Sequence, residues 1–135
     1  MYINENNYAD EAEKVILQLK NKTNPKTGKS VPMVTTSKIR SILAMTSDIY
    51  NEVIMQQDDK LGDDLAGRIE YLRIRVVYEV GRDEDRDKPV KSFVMQSKIL
   101  EILKEIKGSR KNYILFNRYM ESLVAFHKFY GGKDN

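Results

Sequence analysis

The chemistry this chain can offer is concentrated in the stretch Arg68 to Arg82, RIEYLRIRVVYEVGR. Residues seven apart on a helix drift only about 20° around its axis. On a helix, Arg68, Arg75 and Arg82 therefore form one stripe, with Tyr71 and Tyr78 a step beside it. Guanidinium forks match phosphate oxygens, and neighbouring tyrosine rings can stack on bases or ribose. The same arginines could equally form a solvated edge balanced by Glu79. A second basic feature favours the first reading. Thr36, Ser37, Lys38 and Arg40 open another helical segment, where free N–H groups and the helix dipole already suit an anion. Lys91, Lys98, Lys111, Arg118 and Lys128 add charge further on. An extended basic surface on helices points to binding of a nucleic-acid backbone without sequence specificity.

Other constellations read as structural. Gly28-Lys29-Ser30 has the tail of a phosphate-binding loop, but the full pattern needs a glycine where Thr23 stands and a strand before it. His127 is the only histidine, so neither a multi-histidine metal site nor a histidine-cysteine dyad can form. It falls on an apolar face beside Leu123 and Tyr130, the setting of a packed or hydrogen-bonded imidazole. The pairs Asp58-Asp59 and Asp63-Asp64 and the run Asp83-Glu84-Asp85 match no calcium-loop spacing and are interrupted by Lys60, Arg82 and Arg86. They are expected to be solvated loops. No catalytic constellation, metal site or cofactor is expected.

The elements that must position the arginines follow from apolar periodicity. Tyr8, Ala12, Val15, Ile16 and Leu19 share one helix face, as do Ile39, Ile42, Leu43, Ile49, Tyr50 and Val53 after the capping hydroxyls of Thr35, Thr36 and Ser37. Pro89 opens a long helix carrying Val90, Phe93, Val94, Ile99, Leu103 and Ile106, which Gly108 ends. A last helix runs from Ser109 with Tyr113, Phe116, Met120, Leu123, His127 and Tyr130 inward. Only the arginine segment is contested, because LRIRV alternates like a half-buried strand. No other stretch offers a partner strand, and as a helix it lines up Leu65, Ile69, Leu72, Val76 and Val80. Gly62 and Gly67 are expected to flank a break before it. The prediction is an all-α protein, a single compact bundle of about five helices over residues 1–135, with a flexible basic loop at about 22–34.

The chain has 135 residues, no cysteine, and 23 Lys and Arg against 20 Asp and Glu. That length suits one domain. The lack of cysteine rules out disulfides and thiolate metal sites. No apolar run reaches the roughly 18 to 20 residues of a membrane span, and MYINENNYADEAEK is no signal peptide. A soluble cytoplasmic protein is expected. A net charge of +3 permits an anionic partner without requiring one.

Four stretches carry a family resemblance: TTSKIRSIL (Thr35 to Leu43), YLRIRVVYEVGR (Tyr71 to Arg82), VKSFV (Val90 to Val94) and FNRYMESLVAFHKFYGG (Phe116 to Gly132). In this order and spacing they resemble the small-subunit family of type III-A CRISPR effector complexes, the Csm small subunit. The first helix, YADEAEKVI, resembles that family's start. The resemblance implies a helical bundle without an active site. Its members stack along the inside of the complex, beside the repeated backbone subunits and the large subunit, and contact guide RNA and target RNA through the backbone. It places RNA contact on Lys38, Arg40, Arg73, Arg75, Arg82, Arg118 and Lys128, to which the stripe adds Arg68. Arg73 leaves its helix at another angle and could instead serve a protein interface or an internal salt bridge. The 22–34 loop and the acidic turn at 83–87 match nothing in the family. The expected function is a non-enzymatic RNA-binding subunit that self-associates into a short stack. The rivals are a protein-interaction adaptor, whose arginines pair with acidic partners, and a helical DNA-binding regulator, for which helix-turn-helix spacing is missing.

Overall fold

The computed structural model describes residues 1–135. It contains six helices: α1 (Tyr8–Lys20), α2 (Thr36–Val53), α3 (Asp63–Gly81), α4 (Pro89–Ser97), α5 (Ile99–Ile106) and α6 (Arg110–Phe129). There is no sheet; two isolated bridges pair Thr23 with Ser30 and Lys60 with Ser109. The contested arginine segment is α3. Its Leu65, Ile69, Leu72 and Val76 are buried, with Val80 partly so. Burying each such side chain is worth about 1.5–3 kcal/mol, which outweighs the few tenths that each β-branched residue costs a helix.

One expected helix is two. A continuous helix from Pro89 to Ile106 would turn Ile99, Ile102, Leu103 and Ile106 about 180° away from Val90, Phe93, Val94 and Ser97. All eight are buried, and the chain reconciles them by breaking at Lys98, which takes a left-handed φ of 62°. Ser97 Oγ donates to Phe93 O at 2.7 Å, drawing that carbonyl toward a side-chain partner at the joint.

Two further expectations are corrected. Gly67 lies inside α3, so the break is at Gly62 alone, the residue before the helix. Asp63 and Asp64 are therefore not in a loop but in the first turn of α3, where the dipole favours carboxylates. Asp83 is no solvated loop residue either. It is buried, and its carboxylate accepts from the N–H of Val90 at 3.0 Å and of Asp85 at 3.1 Å, closing the turn into α4.

Helix α6 packs on α1, α2 and α5, while α3 packs on α2, α4 and α5, and α4 also on α1. Buried tyrosines stitch α6 to its neighbours: Tyr113 donates to Thr46 O at 2.7 Å and Tyr119 to Ser97 O at 2.8 Å. Burial pushes both phenols up, far from acid-base work at neutral pH. Arg110 ties the start of α6 to the end of α2, donating from Nε to Gln56 O at 2.6 Å and from Nη2 to Ile54 O at 3.3 Å.

The segment after α6 folds back. Gly131 takes a φ of 83°, and Gly132 passes so close over the His127 ring that a Cβ there would sit inside the imidazole. His127 is buried as expected, with Nε2 bonded to Val34 O at 2.6 Å and Nδ1 to Thr36 Oγ1 at 3.0 Å. The carbonyl can only accept, so Nε2 carries the proton and Nδ1 accepts from the hydroxyl. Burial lowers the imidazole's pKa from its ordinary 6.5.

Candidate nucleic-acid interface

Helices α2 and α3 run past each other in a register that two heptad rows define. Arg68 pairs with Glu52, and Arg75 lines the same cleft as Met45. Met45 and Glu52 on one helix thus meet Arg75 and Arg68 on the other. Lys38 and Arg82 each stand one heptad further along their helices. Between them lies a cleft of about 270 Å3, to which Asp48 and Tyr71 also contribute.

The arginines differ in what they already hold. Arg75 makes no ion pair; its guanidinium lies 5.9 Å from the centroid of the Tyr78 ring, a cation–π distance. Arg82 Nε is 3.3 Å from Glu79, and Arg73 holds Glu70 through Nη2 at 2.9 Å and Nε at 3.3 Å. Arg73 is thus locked along its own helix, as its divergent angle allows. Lys38 and Arg118 are exposed and make no ion pair, but Arg118 stands on the outer face of α6, apart from the α2–α3 rows. The outer face of α3 is apolar: Tyr71, Ile74, Val77 and Tyr78 are each more than half exposed.

The expected anion site at the start of α2 is already filled. Thr36 N donates to Lys133 O at 2.8 Å, Ser37 N to Asp134 O at 3.1 Å, and Lys38 N to Thr35 Oγ1 at 3.4 Å. The Asp134 carboxylate meets Lys128 Nζ at 2.6 Å, which holds its pKa below the ordinary 3.8, with Arg40 also contributing. Lys38 and Arg40, neighbours in sequence, therefore part company: Lys38 lies on the edge of α2 that carries Met45 and Glu52, whereas Arg40 joins Lys128 around Asp134. The signal for the first half was present in the spacing of seven from Lys38 to Met45 to Glu52. Nothing local to Asp134 announced the second. No group of three or more histidine, aspartate or glutamate side chains is placed to hold a metal.

Fold and surface together define a small all-α protein whose distinguishing features are exposed faces rather than an enclosed cleft. The family model described as Csm2 Type III-A matches residues 11–133. The "CRISPR system Cms protein Csm2" of Streptococcus thermophilus is 39% identical over 132 residues, covering 98% of both chains. A protein of the same name from Mycobacterium tuberculosis is 37% identical over 101 residues, 75% of this chain and 78% of its own. One from Enterococcus italicus is 30% identical over 99 residues, 72% and 68% of the two chains. The chain belongs to the Csm2 family of type III-A systems, the small subunits that its motifs resemble. No helix is long and apolar enough to cross a membrane.

Proposed function

We propose that this chain is a non-catalytic, cytoplasmic subunit of an RNA-guided type III-A interference complex. It forms one compact domain over residues 1–135, needs no cofactor, and binds guide and target RNA through phosphates without reading sequence. The observation that carries this reading is Arg75: exposed, in no ion pair, 5.9 Å from the centroid of the Tyr78 ring, and beside Arg68 in one cleft, with Lys38 and Arg82 further along their own helices. An exposed ion pair such as Arg68–Glu52 is worth only about 0.2–1 kcal/mol, so Glu52 can yield its arginine to phosphate at small cost. Arg82–Glu79, with the Glu79 side chain only 11% exposed, is not such a pair. The apolar ridge Tyr71, Ile74, Val77 and Tyr78 supports packing against other subunits, the repeated backbone subunit, the large subunit or a like copy in a short stack.

The test is single-stranded RNA binding by an Arg75→Ala/Arg82→Ala variant across salt concentrations. Two lost phosphate contacts should weaken binding about tenfold and flatten the salt dependence by about 1.4 in log–log slope. Unchanged affinity and slope would remove this surface from RNA contact. The second reading, an adaptor without RNA contact, is favoured by the internal pairing of Arg68, Arg73 and Arg82. Crosslinking from Lys38 and Arg40 in the assembled complex separates the two: RNA adducts support the first, protein adducts alone the second.

A further inference from the structure

A second basic surface lies across α1 and α4, sharing neither helix with the α2–α3 rows. The two helices enclose an open groove of about 620 Å3, lined by Lys22, Lys91 and Lys98 together with Gln18, Ser92 and Gln96. No carboxylate lines it, and none of the three lysines makes an ion pair. Glu11, on the same side of α1 two turns up, is already engaged by the Tyr2 hydroxyl at 2.8 Å. Lys22 reaches across to Ser92 Oγ at 3.1 Å, and Gln96 reaches Gln18, so neutral donors and acceptors span the floor. Met95, 52% exposed, gives the groove an apolar shoulder. Lys91 and Lys98 are both on α4 or its joint, and the left-handed backbone of Lys98 marks the point where α4 ends.

The cationic surface continues beyond Lys22. Val31 N donates to Lys22 O at 2.9 Å and Asn24 N to Lys29 O at 2.8 Å, which folds the loop back and puts Lys29 beside Arg86 in an adjoining cleft. Asp87 is the only carboxylate in that second cleft.

We propose that the α1–α4 groove is a second binding track, for the phosphate backbone of single-stranded nucleic acid. A linear polyanion matches a row of unpaired ammoniums that continues from one cleft into the next. Three lysines converging on one slot suit a single strand, because a duplex presents its phosphates on two separated ridges. Neutral amides and a hydroxyl suit sugar hydroxyls, and Met95 offers a face to a base. This rests on the reading that the chain meets nucleic acid, but on different residues.

The experiment measures binding of a labelled single-stranded RNA by fluorescence anisotropy from about 50 to 200 mM salt. It compares wild type, K22A/K91A/K98A, R75A/R82A and the combined five-fold variant. All three lysines are exposed, and circular dichroism checks the fold of each variant. The expected result is about a tenfold loss for the lysine variant, a log–log salt slope shallower by about 2, and losses that multiply in the combined variant. If the lysine variant keeps wild-type affinity and slope while R75A/R82A loses both, the groove is idle and only the α2–α3 surface binds. If the lysine variant loses affinity and R75A/R82A does not, the groove stands and the α2–α3 reading falls. Competition by a polyglutamate peptide as effective as unlabelled RNA of the same charge would assign the groove to an acidic protein and overturn the proposal.

Discussion

The α2–α3 rows and the α1–α4 groove are both basic, yet their cations stand in opposite states. On α3, Arg68, Arg73 and Arg82 each hold a glutamate, leaving Arg75 as the unpaired member. In the groove, Lys22, Lys91 and Lys98 hold none. Arginine's planar fork and a helix's i, i+3 spacing make intramolecular pairing easy wherever a glutamate is one turn away. Lys22, Lys91 and Lys98, spread over a helix end, a helix face and a helix joint, make no such pair, even though Glu101 stands three residues beyond Lys98. A run of arginines in sequence is therefore a poor guide to free positive charge in the fold, and scattered lysines can supply more of it.

The largest expected effect separates the two surfaces by their support. Lys38 belongs to α2, whose first amides are held by the carbonyls of Lys133 and Asp134, and that tail is seated by the passage of Gly132 over His127. Gly132→Ala forces a methyl into the imidazole. It should cost about 1–3 kcal/mol, the usual range for overpacking, read as a lowered denaturant midpoint. RNA affinity should fall chiefly in the component that Arg75→Ala/Arg82→Ala also removes, leaving the groove's component in place. Equal loss from both would show that the surfaces are not independently supported.

Relieving the internal pairs should do less. Glu52→Gln frees Arg68 and should raise RNA affinity about twofold, the size of an exposed pair. Glu79→Gln frees Arg82, whose partner is only 11% exposed, and should raise it at least as much. No comparable gain is available in the groove, where no carboxylate competes. RNA titrations of the two variants at low salt check this. Flat affinities would mean that pairing is not what distinguishes the surfaces.

Most of the helical plan was legible because apolar periodicity survives in the sequence. The third segment resolved correctly on the absence of a strand partner. The break at Lys98 was legible too, in the step from Val94 to Ile99, which no single helix face can accommodate, but an apolar list without its angles conceals it. Asp83 looked like part of an acidic run, and only the folded turn into α4 makes it a buried cap. The parting of Lys38 from Arg40 was half visible: one helix's periodicity separates their edges, but the partner of the second edge comes from residue 134. Contacts of that range leave no local trace, which is why the tail's hold on α2 and the groove shared by Lys22 and Lys98 emerge only in three dimensions.

The smallest effect is a pH dependence confined to the tail side. Burial makes neutral His127 the form that the fold prefers, so its folded pKa lies below the ordinary 6.5. As pH falls through 6.5, the unfolded chain takes up a proton that the folded chain still refuses. Stability is then fully present above 6.5, and declines until the folded pKa is passed. Because His127 is the only histidine, no other imidazole shares this window. Asp134 acts in a separate, more acid one: its pKa is depressed by Lys128, so its contribution is present above 3.8 and is lost as pH drops through the lower folded value. Thermal midpoints measured from neutral pH downward should show the first decline in the wild type and not in His127→Gln, which keeps a donor for Val34 O but cannot titrate. A profile unchanged by that substitution would mean that the imidazole is not what couples the seat of α2 to pH.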